Sequence, residues 1–73
     1  MLNTRELAAA RVKAKLTQRQ MADAIGCTVN TYNQIENGKG RLTLDRIDKI
    51  IRVLNIQTDA EKLNIFFSEA SQN

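Results

Sequence analysis

A chain of 73 residues with a net charge of +3, one Cys, no His and no Pro is one small domain, short enough to hide only about 60% of its unfolded surface and so marginal on its own. A lone Cys27 excludes a disulfide within the chain, and without His a zinc site is not expected. No apolar run reaches the ~18 residues of a membrane span and the opening MLNTRELAAARVK lacks a signal-peptide core, so a cytoplasmic protein is expected.

With Pro absent, aromatics few and Ala, Leu and Ile frequent, the composition predicts an all-α fold of five helices. The first starts at Asn3, with Glu6 three residues on as a capping box, and puts Leu7, Ala10, Arg11 and Ala14 on one side. The second opens at Thr17, where Gln20 completes another box, and turns Met21, Ala22 and Ile25 inward. It ends at Gly26, because a left-handed residue costs glycine nothing. The third follows Thr28 and ends near Asn37, with Gly38 as its stop. GKGR (38–41) is a loop around a flexible Gly40. Thr43 caps the fourth helix, whose apolar face is Leu44, Ile47, Ile50, Ile51 and Leu54. Thr58 and Glu61 form a third box and open a last helix over about 58–70, with Leu63, Phe66 and Phe67. No repeat or linker divides the chain, so residues 1–73 are expected to form one domain. Its core is 5–56, and the C-terminal helix is a candidate dimerisation or partner element.

Two short helices joined at Gly26 are the arrangement of a helix-turn-helix, which lays its second helix in the major groove of DNA. On the third helix Tyr32 and Ile35 face the core, Cys27 joins them, and Thr31 lies beside that face. Thr28, Val29, Asn30, Asn33 and Gln34 remain outward as candidate base-reading residues. Asn and Gln present a donor and an acceptor side by side, matching the N6/N7 edge of adenine, and Val29 suits a thymine methyl. The face carries no carboxylate to repel phosphate. A plain solvated helix face is the alternative, but such faces usually carry Glu and Lys rather than the poor helix formers Asn and Thr.

Glu36 is the one acid on that helix. With Arg11 inward on the first helix, the two are expected to form a partly buried ion pair tying it to the third. Phosphate contacts are expected from the ends of the motif, at Gln18, Arg19, Asn37, Lys39 and Arg41. Gln18 stands at a helix N-terminus, where free N–H groups favour an anion. Residues 1–55 carry ten Lys/Arg against five Asp/Glu, while residues 56–73 carry Lys62 against Asp59, Glu61 and Glu69. A basic body suits a polyanion, although ordinary solubilising charge gives the same count. Adjacent Phe66 and Phe67 cannot both point from a helix into one small core. One packs under the fourth helix, and the other awaits a second subunit unless a folded-back tail covers both. Leu63, Phe66 and Phe67 are therefore the candidate dimer or partner surface.

These residues resemble the Cro and phage-repressor type of helix-turn-helix, also called Xre-like, over about residues 5–56. The resemblance is carried by Leu16-Thr17-Gln18, Met21-Ala22, Ile25-Gly26 and the run Ile35-Glu36-Asn37-Gly38-Lys39. Leu44, Ile47, Ile51 and Leu54-Asn55-Ile56 also fit. It implies a compact lambda-repressor-like fold in which helices two and three form the motif. It implies that Gln18 meets a phosphate, that Thr28, Val29, Asn30 and Gln34 face the groove, that the position of Asn33 varies, and that Arg11 pairs with Glu36. Val29 departs from the pattern, being apolar where polar side chains are common. The last fifteen or so residues lie outside the resemblance.

The expected function is a sequence-specific double-stranded-DNA-binding transcriptional regulator. It would be a bacterial or phage-encoded repressor, gripping a pseudo-palindromic operator as a homodimer and nucleoid-associated when bound. The alternative is an antitoxin that binds a toxin protein through the C-terminal helix and represses its own operon. An enzyme is not expected, since Cys27 lacks a His partner and GKG is too short for a phosphate loop. No metal or cofactor is expected.

Overall fold

The computed structural model describes residues 2–67. Five helices follow one another: α1 (Thr4–Lys13), α2 (Gln18–Ile25), α3 (Val29–Glu36), α4 (Leu44–Val53) and α5 (Asp59–Phe66). Among the described residues there is no strand, and no helix is long and apolar enough to cross a membrane.

Each helix starts where a short polar side chain can satisfy an orphan amide. Asn3, Thr17, Thr28, Thr43 and Thr58 accept from the backbone N–H three residues on. Only the box at Thr17 is reciprocal, with the Thr17 N–H donating to Gln20 Oε1 at 2.8 Å. At Asn3 the second half of the expected box is absent because the Asn3 N–H donates instead to the Ile65 carbonyl at 2.6 Å. At Thr58 the hydroxyl donates to the Glu61 carboxylate, 3.2 Å away. Gly26 ends α2 in the left-handed region at φ 78°. Two side-chain-bearing residues, Lys15 (φ 61°) and Asn55 (φ 55°), do the same just after α1 and α4.

The core is Leu7, Met21, Ala22, Ile25, Tyr32, Ile35, Ile50, Ile56, Ile65 and Phe66. α2 packs against both α3 and α4, while α1 lies across α3 and receives α5. Leu7, Met21, Tyr32, Ile35 and Ile50 are fully covered, each large aliphatic contributing about 1.5–3 kcal/mol of transfer free energy. Truncating Leu7 to Ala at this junction would cost about 2–5 kcal/mol.

Two expectations fail here. Leu44 was expected on the inner face of α4 but is 82% exposed. The wheel places it over Ile47 and Ile51, yet it stands in the first turn, where no neighbouring helix covers it. Ala14 is the exposed C-cap of α1 rather than part of its inner face. The last helix, expected over about 58–70, spans Asp59–Phe66 and packs on α1. Residues 68–70 lie outside the described residues.

The phenylalanine pair divides between the last residue of α5, Phe66, and its C-cap, Phe67. Phe66 is buried at 4% exposure beside Ile65, and Phe67 is 52% exposed. Phe66 therefore leaves the candidate partner surface, because the chain's own core covers it. Leu63, 57% exposed, and Phe67 remain.

Candidate nucleic-acid interface

α3 is held at both ends by features local to the sequence. At its start the Thr28 hydroxyl accepts from the Thr31 N–H at 3.1 Å and donates to Thr31 Oγ1 at 2.9 Å. At its end the chain turns through Gly38 at φ 77°, and the Gln34 carbonyl accepts from the N–H groups of Asn37, Lys39 and Gly40. Gly40 is no free joint, contrary to expectation. A Cβ there would lie 2.8 Å from both Ile35 Cγ1 and the Ile35 backbone N, so only glycine lets the loop lie this close to α3. The Arg46 guanidinium closes the far side by donating to the Arg41 carbonyl at 2.7 Å. Lys39 and Arg41 are thereby fixed near the C-terminal end of α3 with exposed side chains.

Beneath the helix sits the expected ion pair. Arg11 Nε donates to Glu36 Oε2 at 2.6 Å and Arg11 Nη1 to the Leu16 carbonyl at 2.8 Å. The two side chains are 16% and 6% exposed. Burial acts to raise the Glu36 carboxyl, but the hydrogen bonds it receives, chiefly from Arg11, and the Arg11 charge outweigh it and hold it below the usual glutamate range. The hydrogen bond to Glu36 likewise raises Arg11. Tyr32 is buried next to them, and burial first and the Glu36 carboxylate second push its phenol up. The hydroxyl lies in the field of that carboxylate, yet it makes no hydrogen bond. The acid of α3 is thus neutralised inside the protein and presents no charge to a ligand on the outer face.

That outer face carries Thr28, Val29, Asn30 and Gln34, all exposed, with Val29 at 39%. Among the described residues the carboxamides of Asn30 and Gln34 make no hydrogen bond to the chain, whereas those of Asn33 and Asn37 do. Asn33 stands apart, being half-buried. Its Nδ2 donates to Gln18 Oε1 at 3.2 Å, and its Oδ1 accepts from Asn37 Nδ2 at 3.2 Å. Gln18, half-buried at the first position of α2, donates to Glu36 Oε1 at 3.2 Å. Arg19, Asn37, Lys39 and Arg41 are exposed along the flanks.

Sequence reasoning missed the Gln18–Glu36 and Gln18–Asn33 contacts and the Arg46 brace. The Asn33–Asn37 pair carried a signal, since residues four apart stack on a helix. The others cross between elements, and no sequence spacing announces them. Among the described residues no group of His, Cys, Asp or Glu is placed to hold a metal ion.

A two-helix unit closed by Gly26, with its second helix anchored from below and bearing amides above, defines a helix-turn-helix of the Xre and Cro type, on a lambda-repressor-like five-helix scaffold. The helix-turn-helix family model matches residues 7–60, and the chain belongs to that family. The chain is also 40% identical over 53 residues to the cryptic phage CTXphi transcriptional repressor RstR of Vibrio cholerae serotype O1 (strain ATCC 39315 / El Tor Inaba N16961). The match takes in 73% of this chain and 47% of that protein, so the chain spans about half the length of this curated relative. No solved structure matches the chain.

Proposed function

We propose that the chain is a sequence-specific double-stranded-DNA-binding regulator of transcription, a repressor that occludes a promoter. One observation carries this reading. Asn30 and Gln34 stand exposed on a helix whose only carboxylate is turned inward against Arg11. Such a face offers paired donors and acceptors to base edges without repelling phosphate. The likeness to a phage transcriptional repressor supports the same reading. In it Thr28, Val29, Asn30 and Gln34 face the bases, with Val29 contributing an apolar contact. Gln18, Arg19, Asn37, Lys39 and Arg41 meet the phosphates, which position the helix without reading sequence.

Two copies place their α3 helices in successive major grooves ~34 Å apart on a pseudo-palindromic site. The exposed Leu63 and Phe67 favour a protein partner at α5, and a second copy of this chain is the simplest. The same pair also suits the antitoxin reading, in which a toxin protein covers it. Selection of bound duplexes from a random pool tests the proposal. A pseudo-palindromic consensus with two protomers per site is expected, and Gln34→Ala relaxes one base position per half-site at about 1–3 kcal/mol. Equal binding of all duplexes at low salt would refute it.

A further inference from the structure

We infer that Asn33 is a positioning residue for the phosphate contact rather than a reader of bases, so that sequence is read at Asn30 and Gln34 alone among the amides of α3. The inference rests on the DNA-binding reading and divides its labour.

The geometry that carries it is a directed chain of hydrogen bonds running Arg11, Glu36, Gln18, Asn33, Asn37. A carboxylate only accepts. Because Glu36 Oε1 takes a hydrogen from Gln18 Nε2, the Gln18 amide is turned with its NH2 inward and its oxygen away from Glu36. That oxygen takes a hydrogen from Asn33 Nδ2, which turns the Asn33 oxygen the other way, toward Asn37 Nδ2. Each amide orientation is thus set by the one before it, starting from an acid that Arg11 fixes at 2.6 Å.

Adenine is read by one carboxamide whose oxygen and nitrogen both point at N6 and N7. Both polar atoms of Asn33 point at neighbours in its own chain, and the residue is half-buried. Turning it to a base would break both bonds and leave Gln18 held by Glu36 alone. Left in place, it holds Gln18 at the N-terminus of α2 and Asn37 at the end of α3, the two amides that flank the motif.

The test compares Asn33→Ala, Gln18→Ala and the double variant, with Gln34→Ala as the base-reading control. Alanine suits a helix better than asparagine, and unchanged helical circular dichroism checks the fold. Binding is measured to the duplex the parent selects, and each variant is put through the same random pool. Asn33→Ala is expected to weaken binding about three- to tenfold while selecting the parent's consensus, and the double variant to lose less than the two single losses combined. A changed consensus, additive losses, or no loss of affinity would each overturn the inference. If the parent itself selects no consensus, the base-reading proposal fails. The coupling of Gln18 and Asn33 on a mixed-sequence duplex then still decides this inference, non-additive losses supporting it and additive ones refuting it.

Discussion

Arg11 and Glu36, 25 positions apart in the chain, meet through Nε and Oε2 at 2.6 Å and lock the first helix to the third. The bond is nearly dry on the acid's side, with Glu36 at 6% side-chain exposure. A buried pair of this kind adds little net stability over an apolar substitute, but removing one partner strands the other.

Glu36→Gln is therefore expected to destabilise the fold by about 3 kcal/mol, the low end of the usual range because Arg11 retains its bond to the Leu16 carbonyl. Urea titration of the parent, Glu36→Gln, Arg11→Met and the double variant measures it. The double variant should recover part of the loss, and strict additivity would deny the coupling.

Acid sensitivity follows from the same carboxylate. Its folded value lies below the ordinary 4.5, so the unfolded chain takes up a proton before the folded one does. The stabilisation is complete above that ordinary value and drains away as pH falls through the lower folded one. Urea midpoints should decline more steeply below about pH 4.5 in the parent than in Glu36→Gln. Parallel profiles would show that Glu36 is not the responsible group.

Glycine is needed at position 40 for space and at position 26 for conformation. At Gly40 a Cβ meets Ile35 at 2.8 Å, while at Gly26 it meets only Lys49 Nζ, at 4.0 Å. Gly40→Ala should cost about 1–3 kcal/mol by pushing the loop off α3, and should weaken DNA binding as Lys39 and Arg41 move. Gly26→Ala should cost about 1 kcal/mol through its left-handed backbone alone. Thermal unfolding and binding, measured together, separate the two effects.

Lys39 and Arg41 flank that glycine as exposed cations. If both meet phosphates, Lys39→Gln with Arg41→Gln should lower the slope of log K against log salt by about two and leave the selected consensus unchanged. An unaltered slope would place the phosphate contacts elsewhere.

Phe67, half out of the chain beside exposed Leu63, should mark the contact between copies. Phe67→Ser is expected to shift sedimentation equilibrium from dimer toward monomer with the urea midpoint of the isolated chain unchanged. A monomeric parent would refute that surface.

The elements were legible in the sequence because their signals are local. A hydroxyl or amide before each helix, glycine at positions 26 and 38, and three-four apolar spacing act over a single turn of backbone. The Arg11–Glu36 pair was legible because Arg11 faces inward on its own wheel and Glu36 is the one acid on the third helix. Tertiary structure alone decided which phenylalanine goes inside, why Leu44 stays out, and that Asn33 gives its amide hydrogen to Gln18. Those outcomes depend on where one helix crosses another. A side chain of a given chemistry is solvated, buried or bonded according to what the crossing brings within about 3 Å of it, and no spacing along one helix encodes that distance.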